Sequence, residues 1–237
     1  MGSEQVVMVT GAFSGIGLVI TELLMKSKNK VVAVGRNQQH IYPSFKTNFL
    51  PITRNLHTQQ DAQDVVEFAT ERFGRIDVVV HAAGRGLFKP SSEQNKADFE
   101  RMLLDNFYSA ALLSQVLLPY FKQAQAGTQI FILPIMSAAS ADRYGAAHYA
   151  AKAALAGYVE SIRAEAQKNG IRLSTVETSP IHTSFWEEKE YQNIENQSFI
   201  SKIAIAKAIL SIITQPASII FDRVVLSPNS DSHSTKP

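Results

Sequence analysis

Val6-Val7-Met8-Val9-Thr10-Gly11-Ala12-Phe13-Ser14-Gly15-Ile16-Gly17 is the stretch that decides the fold. A compact β-rich run passes through a glycine-punctuated turn into Ile16 to Lys26, whose apolar residues recur at helical spacing. The order strand, turn, helix leaves unpaired backbone N–H groups at a helix N-terminus, where a dinucleotide pyrophosphate can rest. The glycines permit both the turn and the close approach of phosphate. A glycine-rich turn by itself is more often a structural loop. Its place after a first strand and before a helix is what the binding mechanism requires.

The alternation continues outward from this unit. Lys30 to Gly35 reads as a second buried strand and Phe49 to Thr53 as a weaker third, followed by an amphipathic helix from Gln60 to Phe73 closed by Gly74. Val78 to Val80 is a fourth strand, Lys96 to Ala124 a long helix kinked at Pro119, and Ile130 to Ile135 a fifth strand. An Ala-rich helix from Ala147 to Asn169, a strand from Arg172 to Val176, a helix over about Ile200 to Thr214 and a strand from Ile219 to Leu226 complete the chain. Strands that alternate with helices imply βαβ units, hence an α/β fold with one doubly wound parallel sheet and helices on both faces. No boundary interrupts the pattern, so residues 1–228 are expected to form a single domain. Within it the polar, aperiodic stretch 183–201, which holds the only tryptophan, Trp186, reads as a substrate loop. Residues 229–237 read as a flexible tail.

Composition narrows the function. The 237 residues are 45% hydrophobic and 19% charged, enough to build a core and unlike a disordered chain. The formal charge of +2 is not gathered into a basic run, which argues against nucleic acid. There is no cysteine, so disulfides, thiolate nucleophiles and Cys-ligated metals are excluded. The six histidines show no helical ligand spacing, and no metal site is expected. No apolar run is long enough to span a membrane, and the polar start has no secretion signature; a cytoplasmic protein is expected.

Thr10 to Gly17 reproduces the Thr-Gly-x-x-x-Gly-x-Gly pattern of the short-chain dehydrogenase/reductase family, which the chain resembles over nearly its whole length. Further along, Asn55-Leu56 falls where the family contacts adenine, and His81-Ala82-Ala83-Gly84 is similar to its Asn-Asn-Ala-Gly turn. Asn106 matches the helix asparagine that holds a relay water, and Lys152 the active-site lysine. The resemblance implies a Rossmann fold and a nicotinamide cofactor held by Gly11, Phe13, Ser14, Gly15, Ile16 and Gly17. Asn55, Leu56, Ala82, Ala83, Gly84, Lys152 and Thr183 would hold the rest of it. It also implies a homodimer or homotetramer joined through the two long helices, and a small carbonyl or alcohol substrate. An enzyme selecting NAD would carry a carboxylate at the end of the second strand; here that place is Gly35-Arg36, and a guanidinium suits the 2′-phosphate of NADP.

The reaction end departs from the family. A Tyr-x-x-x-Lys pair is expected, yet the residue four before Lys152 is His148, and Tyr149 is one position out of register. Tyr149 could still meet Lys152 on one helix face. Alternatively His148 transfers the proton, since imidazole titrates near neutrality unaided. In the third reading the donor is lost, leaving a catalytically silent NADP(H)-binding sensor or scaffold. The carbonyl-holding serine is assigned to Ser137 in Met136-Ser137-Ala138-Ala139-Ser140, although ungapped spacing would put Ile135 there. His182, Trp186 and Phe88 are further candidates to line the pocket, while Glu187, Glu188 and Glu190 read as a solvated loop face. The overall expectation is an NADP-dependent oxidoreductase moving hydride between nicotinamide and a carbonyl or secondary alcohol.

Overall fold

A computed structural model describes residues 4–37, 47–135, 145–179 and 200–229. Seven strands form one sheet in the order β3-β2-β1-β4-β5-β6-β7, with every neighbouring pair parallel. They are β1 (Val6–Thr10), β2 (Lys30–Gly35), β3 (Phe49–Thr53), β4 (Val78–His81), β5 (Gly127–Pro134), β6 (Ile171–Thr178) and β7 (Arg223–Leu226). Among the described residues six α-helices accompany them: α1 (Gly15–Met25), α2 (Gln59–Phe73), α3 (Lys96–Leu103), α4 (Ser109–Ala124), α5 (Ala146–Lys168) and α6 (Lys202–Ile213).

Every residue of β1 is buried, as a strand covered on both faces requires. Its side chains alternate between two cores. Val6 and Met8 join Val79, Phe131 and Leu155 under α2, α4 and α5, whereas Val7 and Val9 join Ile20, Val80 and Ile209 under α1 and α6. The strand order reverses between β1 and β4. The crevice outside their C-terminal ends is where open α/β sheets bind ligands.

Local chemistry sets the helix ends. Thr58 and Asp61 make a reciprocal capping box at the start of α2, and Gly74 closes that helix at φ 78°. Asn95 and Asp98 do the same at the start of α3. The long helix expected over Lys96 to Ala124 is interrupted, but not at proline. Pro119 lies inside α4, and the break is a π-helical turn at Leu104–Tyr108 between α3 and α4. The last strand is shorter than expected because the Arg172 guanidinium takes the carbonyls of Gln215, Pro216 and Ile219 at 3.4, 3.2 and 3.1 Å. The approach to β7 is thereby held as a loop. Most of the expected substrate loop, and the tail from 230, lie outside the described residues.

Candidate active site

The glycine turn packs against the loop after β4 so closely that only glycine fits. Gly11 adopts φ 65°, and a Cβ there would stand 2.9 Å from the Ala83 Cα; one on Gly17 would stand 2.2 Å from the Gly11 carbonyl oxygen. Thr10 Oγ1 ties the two loops together by accepting from the N–H groups of Ala82 and Ala83 at 3.2 and 3.1 Å. Ser14 makes no side-chain cap at the start of α1, and the first turn carries no acidic residue. The positive end of that helix therefore faces the crevice without a competing anion of its own, which suits a phosphate.

A cleft of about 570 Å³ runs from this cradle along the C-terminal edge of the sheet. Gly11, Phe13, Ser14, Gly15 and Ile16 line it from the first loop, Arg36 from the end of β2 and Asn55 with Leu56 from the end of β3. Ala82, Ala83 and Gly84 line it after β4, and Lys152 lines it from α5. Gly17 is not among its walls; its role is the tight packing just described. Thr183 lies outside the described residues, as do Ser137, His182 and Trp186.

Asp105 is the residue that sequence reasoning missed. It is buried, and one carboxylate oxygen, Oδ2, faces three guanidiniums: Arg85 Nε at 3.1 Å, Arg101 Nε at 3.3 Å and Arg36 Nη1 at 3.5 Å. His57 Nε2 approaches its other oxygen at 2.9 Å. One buried anion thus gathers a guanidinium from the end of β2, an imidazole from the end of β3 and a guanidinium from the end of β4 at one wall of the cleft. The available signal was an aspartate directly after the apolar run Met102-Leu103-Leu104 with an arginine four residues earlier.

Next to this cluster stand the groups suited to proton transfer. Asn106 is buried in the π turn. Its Oδ1 accepts from the Arg85 N–H at 3.1 Å, and its Nδ2 donates to the Arg85 and Met102 carbonyls at 2.9 and 3.1 Å. Lys152 Nζ donates to the Ile132 carbonyl at 3.3 Å, and burial pushes its pKa down to about 8. A Cβ on Gly84 would lie 2.8 Å from Asn106 Oδ1 and 3.5 Å from Lys152 Nζ, so these three residues meet.

His148 and Lys152 are four residues apart on α5 and both are buried. The His148 Nδ1 lies 3.0 Å from the Arg85 carbonyl oxygen, and its ring packs 5.7 Å from Phe88 and edge-on to Tyr149 at 5.8 Å. Burial first, then the charge of Lys152, push the imidazole down to about 4, while the carbonyl pulls weakly the other way. Tyr149 is half-buried and lines the same cleft, as does Ile135. The structure therefore brings together Asn106, His148, Tyr149 and Lys152. Among the described residues no three His, Asp or Glu side chains are placed to hold a metal, and no helix is long and apolar enough to cross a membrane.

A parallel sheet with a glycine cradle at its switch point, and a buried lysine lining the same cleft, define the class of dinucleotide-binding α/β oxidoreductases. The chain matches the model of the short chain dehydrogenase family over residues 5–193, and it belongs to that family. It is 26% identical over 231 residues to an uncharacterized oxidoreductase of Staphylococcus epidermidis, covering 95% of this chain and 97% of the relative. An uncharacterized oxidoreductase of Staphylococcus aureus is 24% identical over 233 residues, covering 95% and 98%. In fold it is similar to the closed form of a serine dehydrogenase complexed with NADP+, with a TM-score of 0.86 at 20% identity and 98% of each chain covered. It is also similar to ElxO with NADP bound, with a TM-score of 0.83 at 21% identity, covering 95% of this chain and 97% of that one.

Proposed function

We propose that this protein is an NADP(H)-dependent oxidoreductase that exchanges hydride between nicotinamide and a secondary alcohol or carbonyl. The observation that carries the reading is the pairing of His148 with Lys152 on one face of α5, in the cleft that the glycine cradle also lines. Arg36, where an NAD enzyme would hold a carboxylate, favours the 2′-phosphate form, and two of the similar structures are described with NADP bound.

The bound cofactor would supply the hydride acceptor or donor. The cradle from Gly11 to Gly17 would hold its pyrophosphate, Asn55 and Leu56 its adenine, and Lys152 its nicotinamide ribose, with Thr183 near the amide. His148 stands at the family's tyrosine spacing from Lys152, and we assign it the proton transfer. Tyr149 is a neighbour in the pocket wall. Asn106 would keep a relay water beside Lys152, and Ser137, two residues beyond the cleft-lining Ile135, would hold the substrate oxygen. The same reading makes the chain a cytoplasmic, single-domain protein that works as a homodimer or homotetramer on a small molecule.

The test is a panel of secondary alcohols and carbonyls assayed with NADP(H) and NAD(H), alongside calorimetry of cofactor binding. We expect tighter binding of NADPH than NADH. His148→Gln should lose turnover about 100-fold or more, as removal of a general acid/base does. Lys152→Ala should lose turnover while keeping much of the adenine-end affinity. A larger loss in Tyr149→Phe than in His148→Gln moves the proton transfer to Tyr149. Failure to bind either cofactor overturns the reading.

A further inference from the structure

We infer that Asp105 is a positioning residue for the cofactor's 2′-phosphate: it sets the Arg36 guanidinium in place, with the charges of Arg85 and Arg101 beside it, before any cofactor binds. The inference rests on the NADP(H) reading and names the group that makes it selective. Arg36, Arg85 and Asp105 line the cleft from the end of β2, the segment after β4 and the π turn. In the sheet β2 and β4 stand on either side of β1, so the cluster spans the strand whose loop is the glycine cradle.

Hydrogen-bond direction separates the anchors from the reader. Asp105 is held on both carboxylate oxygens: Arg101 Nε donates to Oδ2 at 3.3 Å, and His57 Nε2 bonds Oδ1 at 2.9 Å. The Arg36 and Arg85 guanidiniums come to 3.5 and 3.1 Å from Oδ2, but only as ion pairs. The Arg85 Nε hydrogen is not aimed at any acceptor among the described residues. Charge thus holds these two side chains while their N–H forks remain to be filled. A guanidinium offers five donors in one plane, a geometry that matches phosphate two bonds at a time. Arg54, the next guanidinium along this wall, is already turned to Asp64 at 2.9 Å.

Charge gives the class of ligand. With His57 left aside, three guanidiniums against one carboxylate leave two positive charges. A phosphate monoester carries about −1.5 to −2 at pH 7 and closes that surplus, whereas a ribose hydroxyl leaves it open. The Arg36 side chain is 43% exposed, so without an anchor it would have to be ordered as the phosphate binds. Asp105, with 4% of its side chain exposed, orders it beforehand. The carboxylate also repels an anion, and the two surplus charges outweigh that repulsion.

Calorimetry with fragments of the cofactor tests this without turnover. Adenosine 2′,5′-bisphosphate carries the 2′-phosphate, and adenosine 5′-phosphate lacks it. We expect the wild-type protein to bind the bisphosphate more tightly. Asp105→Asn should weaken the bisphosphate about two- to tenfold and leave the monophosphate within about twofold, which also reports that the cleft is folded. In an Arg36→Gln background the same substitution should cost the bisphosphate little more, because the side chain it positions is gone. Arg101→Gln, at a half-exposed position that leaves the buried carboxylate in place, should weaken the bisphosphate selectively by about two- to fivefold. It carries the test if Asp105→Asn does not fold, and a wild-type preference in Arg101→Gln then overturns the inference. Equal weakening of the two fragments in Asp105→Asn, an unchanged or tighter bisphosphate, or an undiminished loss in the Arg36→Gln background also overturns it, while the NADP(H) reading stands. A wild-type protein with no preference for the bisphosphate removes that reading and this inference with it.

Discussion

Arg85 holds His148 through its backbone alone: the carbonyl oxygen meets Nδ1 at 3.0 Å while the guanidinium reaches Asp105 at 3.1 Å. Arg85→Gln keeps that carbonyl. It should leave kcat within about threefold and change stability by less than about 1 kcal/mol, the worth of a half-exposed ion pair. Steady-state kinetics and a urea melt check both numbers, and a hundredfold loss of kcat would show that the guanidinium itself takes part.

Gly84 stands where Asn106 and Lys152 meet, and a methyl group there would press 2.8 Å from Asn106 Oδ1. Gly84→Ala should displace the asparagine, cost about 1–3 kcal/mol through overpacking and depress kcat. Thermal melting with a turnover assay on the same sample separates the two effects. Unchanged kcat would show that the exact position of Asn106 does not matter to the reaction.

Arg36 is the group expected to read the 2′-phosphate. Its loss in Arg36→Gln removes charge-assisted hydrogen bonds worth about 1.5–3 kcal/mol, or roughly ten- to hundredfold in Kd for NADPH. NADH affinity should stay level or improve. Calorimetry with both cofactors decides, and equal losses for the two would mean that Arg36 supports the cleft without discriminating.

Lys152 is held at a cost. Its pKa is lowered from 10.5 to about 8 by burial, so stability rises as pH climbs through 8 toward 10.5, and at neutral pH the buried charge costs on the order of 3 kcal/mol. Lys152→Met should therefore melt several degrees higher at pH 7 while losing turnover. A lower melting temperature would show that the ammonium's bond to the Ile132 carbonyl outweighs its desolvation.

Two buried histidines make the fold acid-sensitive. His81, stacked on Phe131 with Nε2 2.9 Å from Gln129 Oε1, is pushed down to about 4 by burial, as is His148. The unfolded chain takes up these protons near pH 6.5, so the stability of the neutral rings is complete above that value and is lost as pH falls toward 4. Each contributes on the order of 3 kcal/mol across the window. Urea unfolding at pH 7 and pH 4.5 should show the loss, and His148→Gln should shrink it; a flat profile would mean that both rings are already protonated or solvated at neutral pH.

The sheet and its cradle were legible because they rest on local rules. The unbroken apolar run of β1 requires cover on both faces, Thr10 to Gly17 is a turn that only glycine permits, and alternating periods of two and 3.6 residues enforce a parallel sheet. Arg36 at the end of β2 follows from the same reading. The π turn at Leu104–Tyr108 did not, since an apolar helix with one extra residue in a turn has almost the same hydrophobic pattern as one without it. Nor did Asp105, whose partners at 36, 57, 85 and 101 come from three strand ends and the preceding helix and meet only when the chain is folded. His148 and Tyr149 are adjacent in sequence, and both lie near the face of Lys152. It is the packing of α5 on α3 and the sheet that buries the imidazole against the Arg85 carbonyl and leaves the phenol half-exposed. Sequence determined which residues could carry the chemistry. The packing of one helix, set by contacts far along the chain, decided which of the two is buried and which is half-exposed.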